Sequence, residues 1–274
     1  MSKRRDVLER IATALERLAP ALSPPTDWLS APGYVWAGDA AQPVPKLTAL
    51  PLETLRGIDQ QKARLSDNIL RLAKGAAAHD MLLWGARGMG KSALVLAATA
   101  HVQSEAPGRL GLVEITPTGL PQLSRLIAEL AQVTRAFVLL LDDLGFGPSD
   151  IQANLALRSL LEGGLVQRPR QICLAVTTNR RAIVSRDPAA SEALHERDER
   201  DHALALADRF GLALGFHPCD QATYLEIVSA YLAPLELGYD ETEALSWASE
   251  RGSRSGRTAF QFATELAGRA GLSL

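Results

Sequence analysis

Five short apolar runs punctuate the chain, at Met81–Trp84, Leu110–Ile115, Ala136–Leu141, Gln171–Val176 and Leu212–Phe216. Each is rich in Leu, Val and Ile and ends in glycine or polar residues, the pattern of strands buried on both faces of a parallel sheet. Helical spacing fills the gaps. A helix that opens near Asp59 continues through Leu65, Ile69 and Leu72. Others are expected over Ala93–Ala98, over Leu120–Ala131, and over Asp150–Gly163 with Leu155, Leu157, Leu160 and Leu161 apolar. Strands alternating with helices predict an α/β core. After the fifth run only helical periodicity remains. It covers Gln221–Ala233, then Asp240–Arg251, then a helix starting at Ser255 or Gly256 and running through Phe260, Phe262, Ala263 and Leu266.

The first fifty residues differ from both patterns. Val7, Leu8, Ile11, Ala14, Leu15 and Leu18 recur at helical spacing and predict one amphipathic helix ending before Pro20. Residues 20–51 then hold seven of the fifteen prolines, with Trp28, Tyr34 and Trp36 among them. This predicts an extended arm lying on a surface, since three exposed rings would be costly. The chain therefore divides into an N-terminal helix and proline-rich arm (1–50), an α/β core (51–216) and a helical unit (217–274). Residues 185–203 interrupt the core with charged side chains and read as a solvated excursion. His195 and His202 within it are seven residues apart, about 10 Å on a helix, too far for one metal ion.

With 274 residues, 47% apolar and 22% charged, the chain has the composition of an ordinary globular protein. Its net charge of −2 gives no overall attraction to nucleic acid. Only Cys173 and Cys219 are present, which points to a reducing, cytoplasmic compartment. No run approaches the length of a membrane span. Acidic residues break the basic N-terminus early, so no signal-peptide core is expected there.

The chemistry begins at Gly85-Ala86-Arg87-Gly88-Met89-Gly90-Lys91-Ser92, which fits Gly-x-x-x-x-Gly-Lys-[Ser/Thr], the phosphate-binding loop of nucleotide hydrolases. Glycines allow the backbone to wrap phosphates with N–H groups. Lys91 would reach the β and γ phosphates of ATP, Ser92 would hold Mg²⁺, and a helix opening near Gly90 and continuing through Ala93 would lend its dipole. About fifty residues on, the Ala136–Leu141 run ends in Asp142-Asp143. Asp142 suits magnesium binding and Asp143 suits orientation of an attacking water. Two N-capping aspartates would give the same letters. The next strand delivers Thr177-Thr178-Asn179, where Asn179, with Thr178 behind it, could bind the lytic water or a phosphate oxygen; a helix cap is the alternative.

Several blocks together carry a family resemblance. Leu-Leu-Trp-Gly-Ala-Arg-Gly-x-Gly-Lys-Ser, Asp-Asp-Leu-x-Phe, Leu160–Leu165, Thr177-x-Asn179-Arg-Arg181 and Asp208-Arg-Phe-Gly211 resemble the bacterial AAA+ ATPases grouped as domain of unknown function 815, over about residues 45–270. The resemblance implies a P-loop NTPase fold with a parallel five-stranded sheet of order five-one-four-three-two, flanked by helices, with residues 217–274 forming a C-terminal helical lid. It implies that Gly57 and Ile58, with Leu55, hold the adenine. It makes Asn179 the first sensor of the γ phosphate and Arg257 the sensor on the lid, with Arg254 next in line. It makes Arg209 an arginine finger entering a neighbouring subunit, for which an ion pair with Asp208 is the alternative. AAA+ proteins commonly have Glu where Asp143 stands, but the initiator and helicase-loader branch also tolerates Asp-Asp, so the resemblance implies hydrolysis at a slow rate.

The expected function is an AAA+ ATPase binding ATP·Mg²⁺ and hydrolysing it at subunit interfaces to remodel a protein or nucleic-acid client. Lys91, Asp143, Asn179 and Arg209 are its catalytic candidates. The resemblance implies a homo-oligomer, a ring such as a hexamer, with no membrane partner. Two rivals are a helicase-loader-like binding switch and a small-molecule P-loop kinase.

Overall fold

The structure, a computed structural model, describes residues 25–144, 168–179 and 208–274, together with positions 10, 157 and 161. Most of the helices expected over residues 7–18 and 150–163, and all of the 185–203 excursion, lie outside the described residues.

The strands are β1 (Gly33–Trp36), β2 (Ala41–Val44), β3 (Met81–Gly85), β4 (Leu110–Ile115), β5 (Ala136–Leu141), β6 (Ile172–Thr178) and β7 (Leu212–Phe216). They form one sheet of order β2-β1-β4-β5-β6-β3-β7. The five apolar runs are β3 to β7, and their order β7-β3-β6-β5-β4 is five-one-four-three-two, all parallel. Every residue of β5 and β6 is buried, which explains their uninterrupted apolar sequence.

The sheet has seven strands rather than five, and the arm supplies both additions. β1 pairs parallel to β4, with Gly33 opposite Leu112 and Trp36 opposite Ile115, and β2 folds back antiparallel on β1. Pro43 lacks an amide proton, and β2 at the sheet edge is where a strand tolerates that loss. The aromatic residues of the arm are core rather than surface cover. Trp36 is fully buried, Trp28 and Tyr34 nearly so, and all three join Phe137 and Leu139 in one of two apolar layers that sandwich the sheet. Arg135 fastens the arm from below. Its Nη1 donates to Trp28 O (3.0 Å) and Ala31 O (2.7 Å), and its Nη2 to Leu110 O (2.5 Å).

Helix α1 (Asp59–Ala73) and helix α2 (Lys91–Glu105) pack on the opposite layer, with Leu65, Ile69, Leu72, Leu94, Val95 and Val102 buried. The middle of α2, Ala93–Ala100, has no exposed residue, so its sequence there is apolar apart from Thr99. Helix α3 (Leu123–Leu130) follows a 3-10 segment over Pro117–Gln122, so the helix expected from Leu120 starts as α-helix at Leu123. Pro121 accounts for the delay, having no N–H to give.

Helices α4 (Gln221–Leu232), α5 (Glu241–Glu250) and α6 (Gly256–Arg269) enclose a separate core of Tyr224, Val228, Leu232, Ala244, Phe262 and Ala263. Each is capped by its own sequence: Asp220, Asp240 and Ser255 accept hydrogen bonds from the backbone N–H groups of Thr223, Thr242 and Thr258. No helix among the described residues is long and apolar enough to cross a membrane.

Candidate functional site

β5, β6 and β3 are neighbours inside the sheet, their C-terminal ends lie side by side, and the sequence places glycine or polar residues at each end. β3 closes at Gly85, where a Cβ would lie 2.1 Å from Phe216 O and the backbone stands at φ +122°. Only glycine allows β7 so close. Ala86 N then donates to Phe216 O (2.8 Å), anchoring the start of the loop. Gly88 and Gly90 take φ +74° and +84°, and Gly90 forms the left-handed N-cap from which α2 departs. Met89 is buried beside Leu55 and Ile58. A Cβ on Gly90 would be in contact with Leu55 Cδ2 and Ile58 Cδ1, so the Gly57–Ile58 element lies against the loop.

Lys91 is 7% exposed, and its ammonium donates to Gly85 O (3.1 Å), Ala86 O (2.8 Å) and Asn179 Oδ1 (2.8 Å). Burial lowers its pKa; the charges of Asp143 and Asp142 oppose that shift, and Arg257 and Arg87 add to it. Asn179 donates in turn through Nδ2 to Asp143 Oδ1. One amide therefore links the loop lysine to the second acid. On the other side Ser92 Oγ donates to Asp142 Oδ1, and Thr177 Oγ1 donates to the same oxygen at 2.6 Å. Thr177 also accepts from Asp143 N (2.8 Å). Asp143 has φ +51°, a left-handed conformation that Asp adopts more readily than most side chains. That backbone gives a local reason for Asp at a position where the resemblance leads one to expect Glu.

A hydroxyl and a carboxylate meeting at Ser92 and Asp142 are hard oxygen donors, the set that suits Mg²⁺ with retained waters. The left-handed glycine backbone leaves loop amides without Cβ cover, as a phosphate cradle needs. The residues present fit both groups.

The lid touches the loop directly. Arg257 N donates to Gly88 O (3.0 Å), and a Cβ on Gly88 would meet Ser255 Oγ at 2.8 Å. Gly57, at φ +72°, receives the lid at a second point, where a Cβ would meet Thr223 Cγ2 at 2.3 Å. Between loop and lid opens a cavity of about 530 Å³ lined by Ala86, Arg87, Met89, Cys219, Ser253 and Arg254, among others. Arg254 thus faces the cavity, while Arg257 stands at the loop tip with its side chain exposed. Arg87 is exposed on the cavity wall, and Thr178 is fully buried at the end of β6. Sequence reasoning missed Thr177, Thr223 and Ser255. A Ser-x-x-Thr pair before an apolar helical run is a cap signal that marks Ser255; Thr177 carries none, because threonine in a strand reads as a β-former.

Arg209 is not brought to this cluster. It is exposed on the turn before β7, and β7 runs parallel to β3 with Leu212 opposite Met81 and Phe216 opposite Gly85. The length of β7 separates Arg209 from the loop of its own chain, roughly 16 Å at 3.3 Å per residue.

Comparison with known proteins agrees with this architecture. The sequence matches the family described as Protein of unknown function (DUF815) over residues 30–270. No curated protein matches it. Among solved structures it is similar to the Thermotoga maritima RuvB Holliday junction branch migration motor, with TM-score 0.50 and 17% identity over 81% of this chain and 67% of that one. It is also similar to the Aeropyrum pernix Orc1 protein in complex with DNA (TM-score 0.56, 16% identity, 79% of this chain, 61% of that one) and to C. elegans PCH-2 (0.54, 16%, 79% and 64%). At these identities the likeness speaks to fold alone. Matched to the family along most of its length, and built on the five-one-four-three-two sheet with a helical lid, the chain belongs to the DUF815 family and has the fold of the AAA+ P-loop ATPases.

Proposed function

We propose that the chain binds ATP with magnesium between its α/β core and its lid and hydrolyses the γ phosphate, with a second copy of the chain completing the site. One observation carries this reading: Lys91, Asn179 and Asp143 form one hydrogen-bonded series, and Ser92 and Asp142 form another beside it, at three adjoining strand ends. Lys91 would exchange Asn179 and the loop carbonyls for β and γ phosphate oxygens. Ser92 and Asp142 would hold the magnesium ion, which when bound neutralises charge on those oxygens. Asp143 would orient the attacking water and take its proton, with the Asn179 amide fixing the carboxylate and sensing the γ phosphate. The nucleoside would lie in the cavity between loop and lid, whose volume suits a ligand of that size, with Leu55 and Ile58 packed in the same apolar cluster as Met89 of its wall.

The placement of Arg209 supports a shared site. Arg209 stands before the start of β7 while the loop follows the end of β3 beside it, a strand length of roughly 16 Å along the sheet, and its exposed position there is one from which a guanidinium can serve a neighbour. Because Arg257 and Ser255 rest on Gly88, a change at the loop on hydrolysis would reach the lid through two direct contacts and move it against a protein or nucleic-acid client. Asp143 is one methylene shorter than the Glu that the resemblance leads one to expect, which favours a slow version of this cycle, in which ATP acts chiefly as an assembly switch.

The test is phosphate release measured against protein concentration, with and without DNA. Activity per chain should rise with concentration. Asp143→Asn and Arg209→Ala should each be inactive alone and recover part of the rate when mixed, because one intact site forms at the shared interface. A rate per chain that is independent of concentration, with no recovery on mixing, overturns the shared site; wild-type activity in Lys91→Ala overturns the ATPase.

A further inference from the structure

Beneath the two acids lies one side chain that the proposed chemistry does not use. Thr177 is 1% exposed near the end of β6, and its hydroxyl makes two hydrogen bonds whose directions are fixed by chemistry. A backbone N–H can only donate, so the Thr177 oxygen accepts from Asp143 N at 2.8 Å, and the hydroxyl proton is left for Asp142 Oδ1 at 2.6 Å. Its backbone carbonyl accepts a third bond, from Leu144 N at 2.8 Å. The turn from Asp142 to Leu144 is therefore held at three successive residues by this single threonine.

We infer that Thr177 is the positioning residue of the acid pair, setting the Asp142 carboxylate for the cation and holding Asp143 in its left-handed conformation for the water. The inference rests on the ATP·Mg²⁺ reading of the site. Two features give it force. Asp142 Oδ1 receives both Ser92 and Thr177, and Ser92 belongs to the proposed ion site, so Thr177 is the partner behind the carboxylate that stays whatever Ser92 does. A non-glycine residue at φ +51° costs free energy and persists where neighbours over-determine it, and the bond from Asp143 N to Thr177 is the local restraint. Valine at 177 has nearly the same shape and suits a strand. It would leave the Asp143 N–H unpaired and the Asp142 oxygen with one donor fewer, so both acids should lose their orientation together.

The experiment compares full-length wild type, Thr177→Val and Thr177→Ser by calorimetric titration of ATP, once with Mg²⁺ and once with EDTA, and by steady-state turnover. In EDTA the three proteins should bind ATP alike, since the loop is untouched. With Mg²⁺, Thr177→Val should bind about tenfold more weakly than wild type, and its kcat should fall by about tenfold or more, the usual range for an outer-shell partner. Thr177→Ser keeps the hydroxyl and should restore both. A purely structural role would lower the thermal midpoint while leaving the ratio of Mg²⁺ to EDTA affinities unchanged, and that result overturns the inference. If the valine variant does not fold, Thr177→Ala is read against Thr177→Ser in the same way. A wild type whose ATP affinity ignores Mg²⁺ and which shows no turnover overturns the ATP·Mg²⁺ reading and this inference with it. A wild type that depends on Mg²⁺, matched by a valine variant that depends on it equally, overturns the inference alone.

Discussion

Two buried cations sit at opposite ends of the same sheet, and their partners differ. Arg135, 6% exposed, lies where β5 begins and spends its guanidinium on the carbonyls of Trp28, Ala31 and Leu110. Lys91, 7% exposed, lies where β3 ends, and one of its three acceptors is the side chain of Asn179. Burial lowers the pKa of both. Arg135 is surrounded by fixed backbone that it ties together, with the Tyr34 phenol as its polar neighbour. Lys91 has two carboxylates nearby and a side-chain partner that can rotate away. A buried cation held chiefly by backbone is a rivet, whereas one held partly by a movable amide can change partners when a ligand enters.

The contrast is most exposed to test when both cations are replaced by methionine. Lys91→Met should weaken ATP binding by about 100-fold, the loss of a charged hydrogen-bonding group, and leave stability within about 1 kcal/mol of wild type. Arg135→Met should do the reverse. It strands the buried carbonyls of Trp28 and Ala31, while Leu110 O keeps the Gln103 amide at 3.1 Å, and it should cost about 3 kcal/mol in urea unfolding, with ATP affinity unchanged within about twofold. A folded Arg135→Met protein that cannot bind ATP would break the comparison by coupling the two ends.

A smaller effect comes from the lid. Gly57→Ala forces a side chain to φ +72° and into Thr223 Cγ2, so the core–lid contact should weaken by about 1–2 kcal/mol. Adding Thr223→Ser removes the methyl group and should recover part of that loss, the part due to crowding rather than to backbone strain. Differential scanning calorimetry of the two variants reads both contributions.

The effect that is smallest near neutral pH distinguishes neither cation and titrates two buried groups, Cys173 in the layer under α1 and α2 and Tyr224 in the separate helical core. Burial raises the Cys173 thiol and the Tyr224 phenol to about 12 each, from 9.0 and 10.0. Both acids keep their protons longer in the folded state, so stability is full below about pH 9 and falls as pH rises toward 12. Urea midpoints measured on either side of pH 9 should show that decline, and Cys173→Ala should flatten its lower part.

Much of the core could be read in advance because burial on both faces of a parallel strand demands an unbroken apolar run, as Ala136–Leu141 and Ile172–Val176 show. The arm could not. Gly33–Trp36 is four residues long and its partner strand contains Pro43, so local pattern gives an extended segment and only pairing with β4 makes it a strand. At the site, the loop and the acids follow a spacing that phosphate and cation chemistry impose. Thr177 follows none, since its role is set by the residue whose amide happens to lie across from it. Arg135 reads as an ordinary polar residue before a strand, and its burial appears only once Trp28 and Ala31 are folded over it.

The pairing of β1 with β4 also sets an order of events during synthesis. Trp28 and Arg135 are 107 residues apart along the chain, and the ribosome adds about 5–20 residues each second. The aromatic residues of the arm therefore wait roughly 5–20 seconds after they are made before the strand and guanidinium that will cover them exist. For that interval they are unpartnered apolar surface on a nascent chain, and the earliest strand of the sheet finds its place only after β4 has been made.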